Sequence, residues 1–360
     1  MTEEESTSPS IEELHQAAAR AQAAYDWEEA ISLYTQALAQ EGLPPETAYD
    51  LLDGRAEGHR HLGDLAAEEA DLAAMAGLAQ EMADPACQVL VMHRQVGGLV
   101  PRGQLAEARQ MAETALSRSR ELGDQVLEAA SLATLADALN RSGELARGRE
   151  CAEWALALYR DRGDPAGEAR SLWLLGFAAI RLGERDLGLA CDEGALVLYR
   201  RLGDREGEGN ALNSMGIDAT DHARQRAYYE EAQAAFGAIR HRQRQTMVYN
   251  NLGLVYHRLG LYGRSRDYCQ RAVGLAREMG ARLALAYHLD SLGRAYLRLS
   301  PEQPDALEQA TRLFEEGRAL CQEIGDRYAE ATYWLGLGWV ALVGGQPAEA
   351  RDLFQRAAEL

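Results

Sequence analysis

Forty residues separate Gly63 from Gly103, Gly103 from Gly143, and Gly143 from Gly183, and twenty-one residues after each stands an aspartate: Asp84, Asp124, Asp164 and Asp204. A fixed period of this length means one supersecondary unit stacked on copies of itself. The stretches between the markers, such as 124–142 and 144–162, are each about 18 residues, roughly 27 Å of helix. Within them Leu127, Ala130, Leu132, Leu135 and Leu139 return at helical spacing. No stretch sustains the two-residue alternation of a half-buried strand. The unit is therefore a helical hairpin with a glycine at its inner turn.

Small residues fix the register. Seven residues before the inner turns lie Ala18, Ala56, Val96, Ala136, Gly176, Gly216, Gly253, Gly293 and Gly338. Early in the second helices come Ala30, Ala108, Gly148, Gly188, Ser265, Ala310 and Ala350, and seven residues later Ala37, Ala115, Ala155, Ala195, Ala235, Ala272, Gly317 and Ala357. Such residues let two helix backbones cross closely. The second repeat departs from the rule with Glu68 and Met75 and is expected to be the loosest.

Helix pairs with these slots resemble the tetratricopeptide repeat, and Asn251-Leu-Gly-Leu-Val-Tyr-His-Arg-Leu-Gly260 is similar to its first-helix signature. The resemblance covers nearly the whole chain, with repeats starting near residues 11, 46, 85, 125, 165, 205, 242, 282 and 327. The departure is a period of about 40 residues in place of about 34. Long repeats of this kind resemble those of Pins-type adaptors, Rap-type regulators and the sensor regions of large bacterial regulators. The expected fold is all-α, a right-handed α-solenoid (superhelix) of about nine such hairpins. Residues 1–10 are expected to form a disordered acidic tail and residues 11–360 a single solenoid domain. Two irregularities stand out. Gly216 and Gly253 are 37 residues apart, with Ala223 where the inner glycine is expected. Gly293 and Gly338 are 45 apart, because 300–305 (Ser-Pro-Glu-Gln-Pro-Asp) lengthens a turn.

Composition excludes several classes of function. The net charge is −19, so the basic footprint of a duplex nucleic-acid binder is missing. All 37 basic residues are arginine. Five cysteines without a CxxC spacing argue against a disulfide scaffold or zinc ribbon. Residues 1–10 carry no apolar core of a leader peptide. The longest uncharged stretch, 331–348, holds four glycines and a proline and reads poorly as a membrane span. A cytoplasmic protein is the expectation.

The recurring acidic pairs Asp124/Glu128, Asp164/Glu168, Asp204/Glu208 and Asp326/Glu330 look like acid–base dyads. Their place at helix starts makes them caps, the aspartate accepting from free N–H groups and the glutamate favoured by the helix dipole. Ser10 and Glu13 read as a capping box. His59 and His61 point about 200° apart on a helix, the wrong geometry for a shared metal. The cysteines, Cys87, Cys151, Cys191, Cys269 and Cys321, read as small buried hydrophobes. Gly336-Leu-Gly338 sits inside a helix and is no dinucleotide loop. No catalytic residue, metal ligand or cofactor motif emerges.

What remains is a groove. In tetratricopeptide arrays the first helices line the concave face, and the resemblance projects a set of residues onto it. The set comprises His93 and Arg94; Arg170, Trp173 and Phe177; Asn210, Asn213 and Ser214; Asn250, Asn251, Leu254 and His257; and Tyr287, Asp290, Arg294 and Arg298. It holds four of the five asparagines, side chains that can grip a peptide backbone through donor and acceptor together. Arginines can fork onto carboxylates and the two aromatics can anchor an apolar side chain. Residues 1–85 carry 19 acids against 3 arginines and residues 221–300 carry 6 acids against 13 arginines, so an acidic or carboxylate-bearing segment is drawn to the second region. The expected partner is a protein or peptide, with no direct nucleic-acid or membrane binding. Alternatives are a ligand-sensing regulatory region of a larger bacterial signalling protein, and a self-assembling protein whose homo-oligomer forms through the amphipathic C-terminal helix holding Leu353, Phe354 and Ala357. That exposed edge also reads as a point where a longer protein continues.

Overall fold

The computed structural model describes residues 9–100 and 102–360. The first eight residues of the expected acidic tail lie outside them. The fold is all-α: an α-solenoid of eighteen helices and no strand among the described residues, paired as nine hairpins. The chain falls into two compact units, Met1–Ala211 with Ala238–Arg240, and Leu212–Gly237 with His241–Leu360, called units 1 and 2.

Unit 1 holds α1 (Ile11–Ala23), α2 (Trp27–Leu38), α3 (Pro45–Leu62), α4 (Leu65–Glu81), α5 (Pro85–Leu99), α6 (Leu105–Leu122), α7 (Gln125–Arg141), α8 (Leu145–Arg162), α9 (Pro165–Arg181), α10 (Arg185–Leu202) and the start of α11 (Arg205–Asp218). Unit 2 takes the rest of α11, most of α12 (His222–Ala238), and α13 (Arg242–Arg258), α14 (Tyr262–Glu278), α15 (Arg282–Leu299), α16 (Ala306–Ile324), α17 (Arg327–Val343) and α18 (Pro347–Ala358). In both units a first helix touches its counterpart in the next hairpin: α5 meets α7 and α7 meets α9, while α13 meets α15 and α15 meets α17.

The punctuation of the sequence becomes turn geometry. Gly63, Gly103, Gly143 and Gly183 have φ between 77° and 89°, the left-handed region that a β-carbon penalises. First helices open on aspartate caps: one Asp124 carboxylate oxygen accepts from the N–H groups of Val126 and Leu127 at 2.8 and 3.1 Å. Asp84, Asp164, Asp204 and Asp326 cap in the same way, and Ser10 and Glu13 close a reciprocal capping box. The paired glutamates do more than meet a helix dipole. Glu128, Glu168 and Glu208 take ion pairs from Arg120, Arg160 and Arg200, eight residues back, at 2.8, 2.8 and 2.9 Å. The sixth hairpin differs from expectation: its turn is at 219–221, and Ala223 lies inside α12, because α11 is cut short after Asp218. The long turn at 300–305 separates α15 from α16 as the spacing requires.

The small slots are buried crossing points. Ala18, Ala37, Ala108, Ala115, Ala136, Ala155, Ala195 and Ala272 are fully buried. A β-carbon at Gly167 would lie 2.1 Å from the Tyr159 ring, and one at Gly207 would lie 2.2 Å from the Tyr199 ring, so at these two joints between hairpins a tyrosine is seated on a glycine. Met75 is buried with Tyr49, Leu52, Ala56, Leu72, Ala79 and Val91, so the second hairpin fills its wider slot with apolar volume. Cys191, Cys269 and Cys321 are buried, whereas Cys87 and Cys151 are only half-buried, which corrects the uniform reading of the five.

Unit 1 also makes a contact that no periodicity announces. The Trp27 indole N–H donates to the Ile239 carbonyl at 2.8 Å, while its ring stacks on His61 at 4.0 Å between centroids. Arg60 pairs with Glu206 at 3.3 Å, and Arg240 lies 3.8 Å from both Asp26 and Glu28. Arg240 is held at φ 49°, a left-handed conformation unusual for a residue with a β-carbon.

Candidate binding face of the first helices

The first helices carry a repeated pattern set by their small slot. Residues three before, one after and five after the slot recur as sets: Trp173, Phe177 and Arg181 on α9, Asn250, Leu254 and Arg258 on α13, and Asp290, Arg294 and Arg298 on α15.

In unit 1, α9 presents Trp173 and Phe177, both half-buried, at a small niche shared with Asp137, Asn140 and Arg141. The Arg181 guanidinium lies 5.0 Å from the centre of the Phe177 ring, a cation–π contact. Arg170 is exposed and reaches Thr134 Oγ1 at 3.4 Å. Arg94 is exposed and pairs with Asp53 at 2.9 Å. His93 is less available than its register position implies: its Nε2 lies 2.8 Å from Ser131 Oγ, and burial, with Arg170 and Arg94 nearby, pushes its pKa down to about 4. It is a neutral side chain joining two helices. Asn210 is half-buried.

In unit 2 the face is richer. Asn251 donates through Nδ2 to Asn213 Oδ1 at 3.0 Å, so two of the projected asparagines pair with each other. Asn213 and Ser214 are buried, which removes them from an open groove; the cause is the lateral packing of α11 on α13. Asn250, Leu254 and His257 follow along α13, all half-buried. The buried atoms Asn250 Oδ1 and His257 Nε2 make no hydrogen bond to protein. Burial, then the charges of Arg298, Arg294 and Arg258, lower the His257 pKa, so the ring is neutral near pH 7 and stands edge-on to Tyr262 at 5.3 Å. On α15, Arg294 Nε pairs with Asp290 Oδ2 at 2.8 Å, leaving Asp290 Oδ1 buried without a partner. Burial raises the Asp290 pKa while Arg294 opposes the shift. Arg294 and Arg298 are exposed, and Arg298 has no ion pair among the described residues. Tyr287 is half exposed, its hydroxyl 3.5 Å from Asp326.

The same register extends to residues that the sequence reading omitted: Ile217 on α11 and Leu335, Trp339 and Val343 on α17, exposed by 49%, 41%, 53% and 53%. They stand at the offsets of Trp173, Phe177 and Arg181, so the slot itself was the signal that could have found them.

No described helix is long and apolar enough to cross a membrane. The basic stretch 240–244 is partly engaged inside the chain, Arg240 by Asp26 and Glu28 in unit 1 and Arg242 by Glu278 at 3.7 Å in unit 2.

Residues 248–279 match the family model described as tetratricopeptide repeat. A comparison with curated protein sequences finds no match. Solved structures share the fold. A Rap protein complexed with competence and sporulation factor is 13% identical, with a TM-score of 0.60 over 97% of this chain and 99% of that one. A signal transduction ATPase with numerous domains and a tetratricopeptide repeat sensor, from Pyrococcus horikoshii, is 15% identical with a TM-score of 0.61; the match covers 99% of this chain and 53% of that one, so this chain spans about half its length. The apo form of the quorum sensor NprR from B. thuringiensis is 13% identical, with a TM-score of 0.52 over 97% and 98% of the two chains.

Proposed function

The chain is built on the tetratricopeptide-repeat fold, and from that premise we propose that it is a binding scaffold that captures a segment of a protein or peptide partner on its first helices. It is not an enzyme in this reading. The observation that carries it is the set of side chains left partly open on the first helices of unit 2, with Asn250, Leu254 and His257 half-buried in a row along α13. Arg294 and Arg298 beside them supply charge for a carboxylate. The Rap protein complexed with competence and sporulation factor, and the quorum sensor, support this reading by likeness of fold.

The test compares capture from lysate of the source organism by the wild-type chain and by an Asn250→Ala, Arg294→Ala variant, with circular dichroism verifying the fold. A partner retained by the first and lost by the second supports the face. Equal capture by both removes it. A second reading, a ligand-sensing region that controls an output domain, is favoured by the match to about half of the Pyrococcus ATPase. It predicts a ligand-dependent change in the small-angle scattering curve, which a rigid scaffold does not give.

A further inference from the structure

Along unit 2 the chemistry of the binding face changes in one direction. On α13 it offers the half-buried amide of Asn250 and a neutral imidazole. On α15 it offers Arg294 and Arg298. On α17 it turns apolar: Leu335, Trp339 and Val343 occupy the positions that hold Asp290, Arg294 and Arg298 one hairpin earlier, and Leu342 beside them is also exposed. With Tyr328, 81% exposed, these side chains form a stripe along most of α17 that stays 41% or more exposed among the described residues.

Resting on the binding-face reading above, we infer that unit 2 recognises an extended acidic–apolar peptide. The α15 arginines take an acidic side chain, and the α17 stripe takes a large apolar side chain about three residues away. Three arguments lead there. The half-buried Asn250 on α13 carries an amide that pairs with peptide backbone groups, which an extended segment presents and a helix keeps for itself. Charge selects the acid: residues 221–300 hold 13 arginines against 6 acids, and Arg298 is unpaired on the face. Spacing sets the interval, because packed helix axes are about 8–10 Å apart and an extended chain advances about 3.3 Å per residue, so one hairpin corresponds to about three residues.

The probe is a library of end-blocked decapeptides in a serine–alanine background, each with one glutamate and one phenylalanine separated by one to six residues in either order. Binding to the whole chain is read by fluorescence anisotropy. The expected result is an optimum near a separation of three in one order only, at least tenfold tighter than separations of one or six. Trp339→Ala is expected to weaken that peptide about tenfold while leaving its phenylalanine-free analogue unchanged, and Arg298→Gln to do the converse for the glutamate. Trp339 also stands edge-on to Phe354 at 5.5 Å, so Val343→Ser, at an exposed position, serves as the variant that spares this packing. Binding without a preferred separation overturns the inference but leaves the face reading intact if Asn250→Ala still weakens it. No binding by any member up to millimolar concentration overturns both. A Trp339→Ala variant that changes sedimentation coefficient while binding peptide normally assigns the stripe to a second copy, and the inference falls.

Discussion

Trp27 and Ile239 are 212 positions apart in sequence and joined by a 2.8 Å hydrogen bond, indole N–H to backbone carbonyl, in a buried setting. Trp27→Phe keeps an aromatic ring against His61 but leaves the Ile239 carbonyl unsatisfied. The expected cost is about 1–3 kcal/mol, read as a lowered midpoint of urea denaturation. A midpoint equal to that of the wild-type protein contradicts the role given to this bond.

Glycine substitutions separate two kinds of site. Gly167→Ala drives a methyl into the Tyr159 ring and is expected to destabilise by about 1–3 kcal/mol or more. Gly274→Ala, inside α14 with nothing within 4 Å of the new carbon, is expected to stabilise by about 0.5–1 kcal/mol. Thermal melts of the two variants should move in opposite directions.

His288 is 6% exposed, neither ring nitrogen has a hydrogen-bond partner, and burial pushes its pKa down to about 4. An unfolded histidine binds its proton near pH 6.5. Between about pH 6.5 and 4 the unfolded chain therefore holds more protons than the folded one, and stability falls as pH falls through that window. His288→Leu should remove this component, so its melting temperature should drop less between pH 7 and pH 5 than that of the wild-type protein. Parallel pH profiles would argue against it.

Asp124→Ala deletes a carboxylate that serves two N–H groups, with an expected loss of about 1 kcal/mol. Asp124→Asn, which keeps the acceptor oxygen, should recover most of it. Chemical denaturation of the three proteins measures the difference.

The hairpins and their caps were legible because each depends on local chemistry: a glycine that tolerates positive φ, an aspartate that accepts from a helix start, small residues at a crossing. The start of every first helix follows from that grammar to within a residue. The proposed binding face was legible only as a register. Sequence placed Asn213 on it, yet packing buried that side chain against Asn251. It also omitted Trp339, which the slot at Gly338 marks by spacing, while its 53% exposure is a fact of the α17 environment. The Trp27–Ile239 contact left no trace in the pattern, since nothing periodic marks a bond between one hairpin and a turn five hairpins later.

The tyrosine–glycine joint has a consequence for how such a chain changes length. Tyr159 on Gly167 with Arg160 on Glu168, and Tyr199 on Gly207 with Arg200 on Glu208, are the same connector used twice, forty residues apart. Excising residues 165–204 would bring Tyr159 onto Gly207 and Arg160 onto Glu208, mating two halves already cut to fit. Duplicating the same block would insert a hairpin with both of its ends already matched. Genetic gain or loss of a whole period thus meets a matched connector here, whereas any other increment must rebuild it at both ends.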